Sequence, residues 1–330
     1  MRYNLYRYIL VVFVCSFIYD RASCLNLNCK PELRSIIPPQ QDALTRRAAI
    51  TLSSCLIIST QRAKVSNAKQ MPGGGKMFEL RDPNTYPALV YVPPSTNIAE
   101  IGSSQPKKLP VIFVFHGAGK NELDVWNLSN IQGEHSGLPP SLIASGSAPS
   151  ELLNNFIVIA PYSSGKTSFY DEPRSKILEF VSVFTGQTRI EPTLDFGEND
   201  FVEKMDLNRI FLLGFSDGAT LGIELMTTRK FAAGIIAAYG FTGTLPKLAL
   251  ERLKHLPLWI FHSADDVIFP VRCSDNLVRS LRQVNEDNDC IRYSRFDKDQ
   301  EGFTGSLRGH STGITASKNP EIYKWLLSVQ

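Results

Sequence analysis

A serine between two glycines is the clearest sign of chemistry in the sequence. Residues 214–218 read G-F-S-D-G, after an apolar run at 210–213 and before a helical run that starts at Ala219. Glycines two residues either side of Ser216 let a strand and a helix approach closely around a sharp turn that presents the hydroxyl. The amide of Asp217 would then face an oxyanion at the helix N-terminus. The pattern predicts a nucleophilic serine; the alternative is a solvated serine in a glycine-flanked turn.

Two side chains further along the chain would complete a catalytic triad with this serine. Asp266 follows the apolar segment 257–261, and a carboxylate just past a strand can orient an imidazole and stabilise its charged form. His310 lies in a loop before the last predicted helix, where no apolar periodicity assigns it to the core, so it is free to act as a base. The neighbouring Asp265 is the alternative acid.

The other four histidines have structural or surface roles in this interpretation. His116 opens the segment His116-Gly-Ala-Gly119, whose small residues leave backbone amides free to face a ligand. We expect His116 to shape that loop and His262 to pack beneath the acid loop. His135 and His255 are predicted at the surface. The five histidines show no zinc-binding spacing.

An alternation of apolar strands and helices must position these residues. Continuously apolar strands separated by helices predict an α/β fold: a mostly parallel central sheet with helices on both faces, and sites at the carboxyl ends of its strands. The strands are predicted at 86–92, 109–115, 155–160, 209–214, 233–239 and 257–261, with an edge strand at 290–296, and the helices at 176–184, 217–228, 273–284 and 320–328. Only about 17 residues separate 239 from 257, too few for a large cap domain.

From about residue 78 onward the sequence resembles an α/β-hydrolase of the capless esterase group. That group includes carboxylesterase/phospholipase-like proteins and the predicted peptidases related to dienelactone hydrolase. The segments that carry the resemblance are 115–119, 137–143, 156–161, 214–218, 262–274 and 309–326. The resemblance implies Ser216 as nucleophile, His310 as base, Asp266 as acid, and the amides of Ala118 and Asp217 as the oxyanion hole.

The sequence departs from the family pattern at two places beside the triad. Ser263 stands where the family usually has glycine, and Ser311 and Thr312 stand where bulkier residues often follow the histidine. Neither departure removes a catalytic atom, but both affect the shape of the site.

The resemblance implies hydrolysis of carboxylic esters through an acyl-enzyme, with no cofactor and no metal. The predicted partner is a small-molecule ester or acyl substrate, and contact with a lipid surface stays open. The alternatives are a thioesterase or small peptidase that uses the same triad, and a catalytically silent binding protein. A further alternative is nucleotide binding, because 160–167 fits a relaxed phosphate-loop pattern with Lys166 and Thr167 at its end.

Charge and cysteine content exclude several other classes. The 330 residues carry a net charge of +3, but residues 1–68 contain nine Lys/Arg and three Asp/Glu, so the remainder is about −3. The sequence therefore contains no basic patch that would indicate nucleic-acid binding. Beyond residue 68 only Cys273 and Cys290 remain, and the helix predicted between them separates the two sulfurs too far for a disulfide.

The N-terminal segment 1–68 is interpreted as a presequence. Arg2 and Arg7 precede an apolar run at 9–19, and the pair Arg46-Arg47 precedes a second run at 48–60. Two signals in series resemble the layered presequences of algae with secondary plastids, which would direct the protein to the thylakoid lumen. The alternative is one signal peptide before a basic linker, and thus secretion or an endomembrane lumen; a signal anchor is a third option.

The predicted domain organisation has three parts: the presequence at 1–68, a flexible lead-in at 69–76 and a catalytic domain at 77–330. Within the domain, the long connection 165–205 allows two interpretations. Phe180, Val181 and Phe184 would either form a partial lid or pack on the sheet.

Overall fold

The computed structural model describes residues 64–81, 85–94, 108–119, 123–165, 168–185, 201–284 and 288–329. In these ranges nine strands form a single sheet, and eight α-helices accompany it. The strands are β1 (Lys64–Gln70), β2 (Lys76–Arg81), β3 (Ala88–Val92), β4 (Leu109–Phe115), β5 (Ile157–Pro161), β6 (Met205–Phe215), β7 (Ala233–Ala237), β8 (Leu258–Ser263) and β9 (Ile291–Phe296). The helices are α1 (Pro139–Ser145), α2 (Ser150–Asn155), α3 (Arg174–Phe184), α4 (Asp217–Met226), α5 (Lys247–Leu253), α6 (Arg272–Val284), α7 (Thr312–Lys318) and α8 (Pro320–Ser328).

The sheet is parallel from β5 to β9 and antiparallel at the other end. Its strand order is β1-β2-β3-β5-β4-β6-β7-β8-β9. The pairs from β5–β4 to β8–β9 are parallel, whereas β1–β2, β2–β3 and β3–β5 are antiparallel. Every residue of β4, β5 and β7 is buried. This agrees with the prediction, since continuous apolar runs are typical of strands that are covered on both faces of the sheet. The predicted fold class and the edge position of β9 are confirmed.

The N-terminal boundary of the folded part was predicted too late. Strand β1 starts at Lys64 and pairs with β2 from Lys64 opposite Arg81 to Gln70 opposite Lys76. The predicted lead-in at 69–76 is therefore part of a hairpin, whose turn is closed by a hydrogen bond from the Met71 amide to the Gly75 carbonyl, 2.8 Å. An edge strand is held by main-chain pairing, so its side chains need not be apolar, and the polar sequence of β1 gives no signal. The presequence features at 1–63 lie outside the described residues.

Helix α1 was missed because its first two residues are prolines, which are unfavourable inside a helix. Helix α1 opens on Pro139 and Pro140, which suit the first helical positions, where the missing amides have no intrahelical acceptor. It ends at Gly146, which adopts φ 72°. The start of α8 was predicted correctly: the Asn319 side chain accepts a hydrogen bond from the Glu321 amide at 3.0 Å.

Three apolar residues of α3 are buried, and two of them pack on the sheet. Phe180, Val181 and Phe184 are buried, and the rings of Phe180 and Phe184 lie 6.2 and 5.9 Å from that of Phe113 in β4. Of the two interpretations, packing on the sheet is therefore the correct one for Phe180 and Phe184. Residues 186–200 of the same connection lie outside the described part of the chain, and the ranges that are described hold no large cap.

Helix α6 (Arg272–Val284) contains Cys273 near its start and ends before Cys290, and both cysteines are free thiols. Nowhere in the described ranges is there a helix with the length and apolar character needed to cross a bilayer.

Candidate active site

Ser216 occupies a strained turn between β6 and α4. Its backbone adopts φ 57° and ψ −121°, a conformation that residues other than glycine rarely adopt. The turn is feasible because its flanking glycines leave room: a Cβ on Gly214 would meet the carbonyl oxygen of Gly218, and a Cβ on Gly218 would meet that of Phe115. The predicted glycine spacing thus serves the close strand–helix approach, and the serine stands at the carboxyl end of β6.

The structure brings Ser216, His310 and Asp266 into one hydrogen-bonded chain. The Nε2 atom of His310 lies 2.8 Å from the Ser216 Oγ, and its Nδ1 atom lies 2.7 Å from the Asp266 Oδ2. All three residues are buried, with 6 to 7% of their surface exposed. A histidine whose Nδ1–H donates to a carboxylate offers its Nε2 lone pair to the serine hydroxyl, which is the arrangement that proton abstraction requires.

The acid is held in its ionised form by its surroundings. The Oδ1 atom of Asp266 accepts hydrogen bonds from the amides of Ile268 and Phe269, at 2.8 and 2.9 Å. Burial alone would raise the pKa of this carboxyl, but hydrogen bonds from His262, His310 and the Phe269 amide, together with the nearby charge of His310, lower it to about 2. Asp266 is therefore an anion at neutral pH, able to stabilise a protonated His310.

Asp265, the alternative acid, points elsewhere. Its Oδ1 atom accepts hydrogen bonds from the Ser263 hydroxyl at 2.5 Å and from the Asp299 amide at 3.0 Å. The carboxylate that is hydrogen-bonded to the His310 ring is that of Asp266.

The loop after β4 packs on the serine, and His116 is hydrogen-bonded to that loop. A Cβ on Gly117 would lie 2.9 Å from the Cβ of Ser216, so the loop packs directly on the nucleophile. His116 is fully buried: its Nδ1 lies 2.6 Å from the Gly117 carbonyl, and its Nε2 accepts from the Ser163 amide at 3.0 Å. Burial, with the neighbouring His135, lowers the pKa of His116 well below its usual value, which fits a neutral ring that donates through Nδ1. Because C=O and N–H point in opposite directions across a trans peptide, this bond orients the Ala118 amide away from His116.

The second predicted oxyanion donor is the first residue of α4. The Asp217 amide is one of the initial N–H groups that have no acceptor within a helix. The Asp217 side chain is 8% exposed, and burial, aided by the charge of Asp171, raises the pKa of its carboxyl to about 7. The sequence indicated a role only for the backbone amide of Asp217. The raised pKa of its carboxyl results from burial, which the sequence does not show.

A cavity of about 570 Å³ opens beside Ser216 and His310. Its volume is typical of small-molecule sites. One part of the lining is polar and another apolar. The polar side chains are Gln132, Glu134, His135 and Ser136, and the apolar ones are Leu138, Phe215, Ile268, Phe303, Leu307 and Ile314. Ala118 also contributes to the lining, so the candidate oxyanion loop borders the cavity.

The prediction of a surface position was wrong for His135 and right for His255. His135 is 5% exposed, its ring lies 4.4 Å from that of His116, and it lines the cavity. Burial lowers the pKa of His135 to about 4, against an opposing effect of Glu134. This cavity residue therefore stays uncharged at neutral pH. His255 is exposed, and His262 lies under the acid loop, bonded to Ser274 and the Phe269 carbonyl.

The nucleotide-binding interpretation does not fit the loop after β5. The amides of Tyr162 and Ser163 already donate to acceptors inside the protein, at 2.8 and 3.0 Å, so they cannot cradle a phosphate. A short 3₁₀ turn at Ser168–Asp171 follows, where a phosphate loop would lead into an α-helix. Lys166 and Thr167 lie outside the described residues. No group of three or more potential metal ligands occurs among the residues that are described.

One family model matches part of this chain. Residues 187–300, about a third of the chain, match the family model described as phospholipase/carboxylesterase. The matched segment contains Ser216 and Asp266 and ends before His310. No protein with a curated description matches the sequence.

Solved structures of several hydrolases are similar to this chain at low identity. A thermostable esterase is 19% identical with a TM-score of 0.48; the match covers 81% of this chain and 63% of the esterase. The Pyrococcus furiosus esterase Pf2001 is 12% identical with a TM-score of 0.43; the match covers 81% of this chain and 91% of that esterase. FphF, a fluorophosphonate-binding serine hydrolase of Staphylococcus aureus, is 15% identical with a TM-score of 0.45; the match covers 81% of this chain and 99% of FphF. The chain thus spans less than two thirds of the thermostable esterase.

Proposed function

From its α/β-hydrolase fold and its match to the phospholipase/carboxylesterase model, we propose that this chain is a serine hydrolase that cleaves carboxylic esters through an acyl-enzyme. The observation that carries the proposal is the hydrogen-bonded chain from Ser216 through His310 to Asp266, at 2.8 and 2.7 Å. The three residues come from three different loops at the carboxyl ends of the sheet, so chance contact is a poor explanation for their alignment.

In the first half-reaction Ser216 forms the acyl-enzyme. Its Oγ attacks the ester carbonyl while the Nε2 of His310 removes the hydroxyl proton. The amides of Ala118 and Asp217 donate to the resulting oxyanion. Collapse of the tetrahedral intermediate breaks the ester bond, and the imidazolium returns its proton to the leaving alcohol. Asp266 stabilises the imidazolium between these steps because its carboxyl is ionised.

In the second half-reaction water releases the acyl group. His310 takes a proton from water, which attacks the acyl carbonyl, and the oxyanion again faces the two amides. Ser216 leaves with the proton from His310, and the enzyme is regenerated.

The cavity supports esters with an apolar acyl or alcohol group. Six apolar side chains line it, and two of them, Phe303 and Leu307, are 37% and 50% exposed at its edge. Apolar side chains that continue from a cavity to the surface suit a substrate longer than the cavity itself, including a lipid ester. Thioesters and short peptides remain alternatives on the same triad.

Hydrolysis of a graded substrate series tests this proposal. Residues 64–330 would be assayed with 4-nitrophenyl esters of two to sixteen carbons, a thioester of matched acyl length and a peptide amide. We expect ester hydrolysis in wild type and none above background in Ser216→Ala. Faster turnover of the thioester or the amide would replace esterase by one of the alternatives, and absence of turnover for the whole series would contradict the proposed function.

A further inference from the structure

The loop that carries His310 is joined to the loop that carries Asp266 through two further aspartates, Asp299 and Asp265. The Oδ2 atom of Asp299 accepts hydrogen bonds from the Ser311 amide, at 3.0 Å, and from the Ser311 hydroxyl. Its Oδ1 atom accepts from the Glu301 amide at 3.1 Å. Asp299 therefore ties the start of its own loop to the residue directly after the catalytic histidine.

The same residue also reaches the acid loop. The Asp299 amide donates to the Oδ1 atom of Asp265 at 3.0 Å, and the Ser263 hydroxyl donates to that same oxygen at 2.5 Å. A continuous chain of hydrogen bonds thus runs from Ser263, at the end of β8, through Asp265 and Asp299 to Ser311. Its two ends, Ser263 and Ser311, are two of the three positions at which the sequence departs from the family pattern.

Backbone contacts close the gap between the two loops. The Val267 amide donates to the Arg308 carbonyl at 3.1 Å. Gly309, with φ 76°, lies so close to the acid loop that a Cβ there would meet backbone atoms of Asp265 and Asp266. The residue before His310 and the residue that orients it are therefore packed backbone to backbone.

We propose that Asp299 is a positioning residue that holds His310 at the distance from Ser216 and Asp266 that proton transfer requires. This inference rests on the proposed function, since it assigns Asp299 a part in the same reaction. His310 needs such support because it lies between the short turn at Gly305–Leu307 and α7, and belongs to neither element. A misplacement of about 1 Å in a reacting group can cost about 100-fold in rate.

Asp299 is not one of the residues that line the cavity, so the proposal predicts a specific kinetic pattern. Asp299→Ala should lower kcat about 10- to 100-fold and leave KM within about twofold, because the base moves while the substrate site stays in place. Asp299→Asn keeps one carbonyl acceptor and should recover part of the loss. Ser311→Ala removes the hydroxyl donor but not the amide, and should cost about two- to fivefold.

The matched control is Asp297→Ala, two residues away. Asp297 is a fully exposed aspartate on the same segment, and it pairs only weakly with Arg295 at 4.0 Å. It should behave as wild type in the ester assay. Thermal unfolding of each variant identifies those that fail to fold, and the graded Asn and Ser311 variants keep the test informative if Asp299→Ala is one of them.

A second readout separates this inference from the proposed function. The hydrogen bond between the His310 Nδ1–H and Asp266 should give a low-field proton resonance in wild type. We expect that resonance in Asp297→Ala, and its loss or broadening in Asp299→Ala. If wild type hydrolyses no ester, the resonance still reports on positioning. The inference is overturned if folded Asp299→Ala keeps wild-type kcat or an unchanged resonance.

Discussion

The two sides of the triad are built in different ways. The nucleophile side consists of residues 214–218 between β6 and α4, where strand, turn and helix are consecutive in sequence and the geometry of Ser216 follows from one strained residue between two glycines. The acid–base side consists of the loops 264–270 and 299–311, which are joined only through space. There the position of His310 depends on the hydrogen bonds of Asp299 and on the contact of Gly309 with the other loop.

Their electrostatics differ in the same way. On the acid–base side, the pKa of Asp266 is lowered to about 2 by hydrogen bonds that overcome burial, so its charge is available for catalysis. On the nucleophile side, burial raises the pKa of Asp217 to about 7, so ionisation of this carboxyl lowers the stability of the folded state. The two buried aspartates therefore differ in charge: Asp266 is ionised at neutral pH, whereas the role proposed for Asp217 uses only its backbone amide.

The largest effect should come from removing the charge on the acid–base side. In Asp266→Asn the amides of Ile268 and Phe269 keep their acceptor if the Asn oxygen faces them, which leaves an NH₂ group towards Nδ1 of His310. That group favours the wrong imidazole tautomer, and kcat should fall about 10⁴-fold with little change in KM. Ester kinetics with Asp265→Asn as the neighbouring comparison provide the measurement.

Asp265→Asn should lose less, because Asp265 has no contact with the imidazole. An equal loss in the two variants would mean that the charge of Asp266 has no special part in the reaction.

The contrast between the two sides also explains what the sequence could predict. The G-F-S-D-G pattern and the apolar strands are local signals, and the structure places them as expected. The order of Ser216, Asp266 and His310 along the chain is not local, and it became informative only through the resemblance to a family. The edge strand β1 was missed because it is held by main-chain hydrogen bonds, which leave no pattern in the side chains. His135 was placed at the surface because one buried histidine beside a cavity has no local signature.

The roles of Asp299 and Ser311 could not be inferred for the same reason. Their hydrogen bonds span 12 residues, and the contact between Asp265 and Asp299 spans 34. Ser263 and Ser311 appeared only as unexplained departures from a family pattern. Their common connection through two carboxylates exists only in three dimensions.

A smaller loss of activity should follow from one added methyl group on the acid–base side. Gly309 and Gly305 both have positive φ, 76° and 63°, so alanine is strained at both. Only at Gly309 would the Cβ meet the backbone of Asp265 and Asp266, whereas nothing lies within 4 Å at Gly305. Gly309→Ala should therefore lower kcat about 100-fold, and Gly305→Ala should cost only about 1 kcal/mol of stability.

Paired kinetic and thermal measurements on these two glycine variants separate backbone strain from contact between the loops. Equal kcat values in two folded variants would show that the contact at Gly309 is not needed to place His310.

On the nucleophile side, removing the charge of Asp217 should change the free energy of unfolding rather than kcat. An unfolded aspartate titrates near 3.9, and in the folded state Asp217 titrates at about 7. Between those values only the folded state binds the proton, so the contribution of Asp217 to stability falls as pH rises from about 4 to 7 and is constant above. Asp217→Asn removes this dependence and keeps the backbone amide.

Relative to wild type, Asp217→Asn should therefore gain about 2–4 kcal/mol in the free energy of unfolding between pH 4 and 8. Its kcat should remain within about threefold. Denaturant unfolding of both proteins at several pH values gives this difference directly. A difference that does not change with pH would mean that the Asp217 carboxyl is already ionised in the folded protein at low pH.

The most direct test of the triad is covalent labelling of residues 64–330 with a fluorophosphonate, which reacts only with an activated serine. Wild type should be labelled, Ser216→Ala should show no labelling, and Asp266→Asn should be labelled far more slowly. Mass spectrometry should place the adduct on Ser216. A folded wild-type protein that resists the reagent, or that carries the adduct on another residue, would contradict the assignment of Ser216 as the nucleophile.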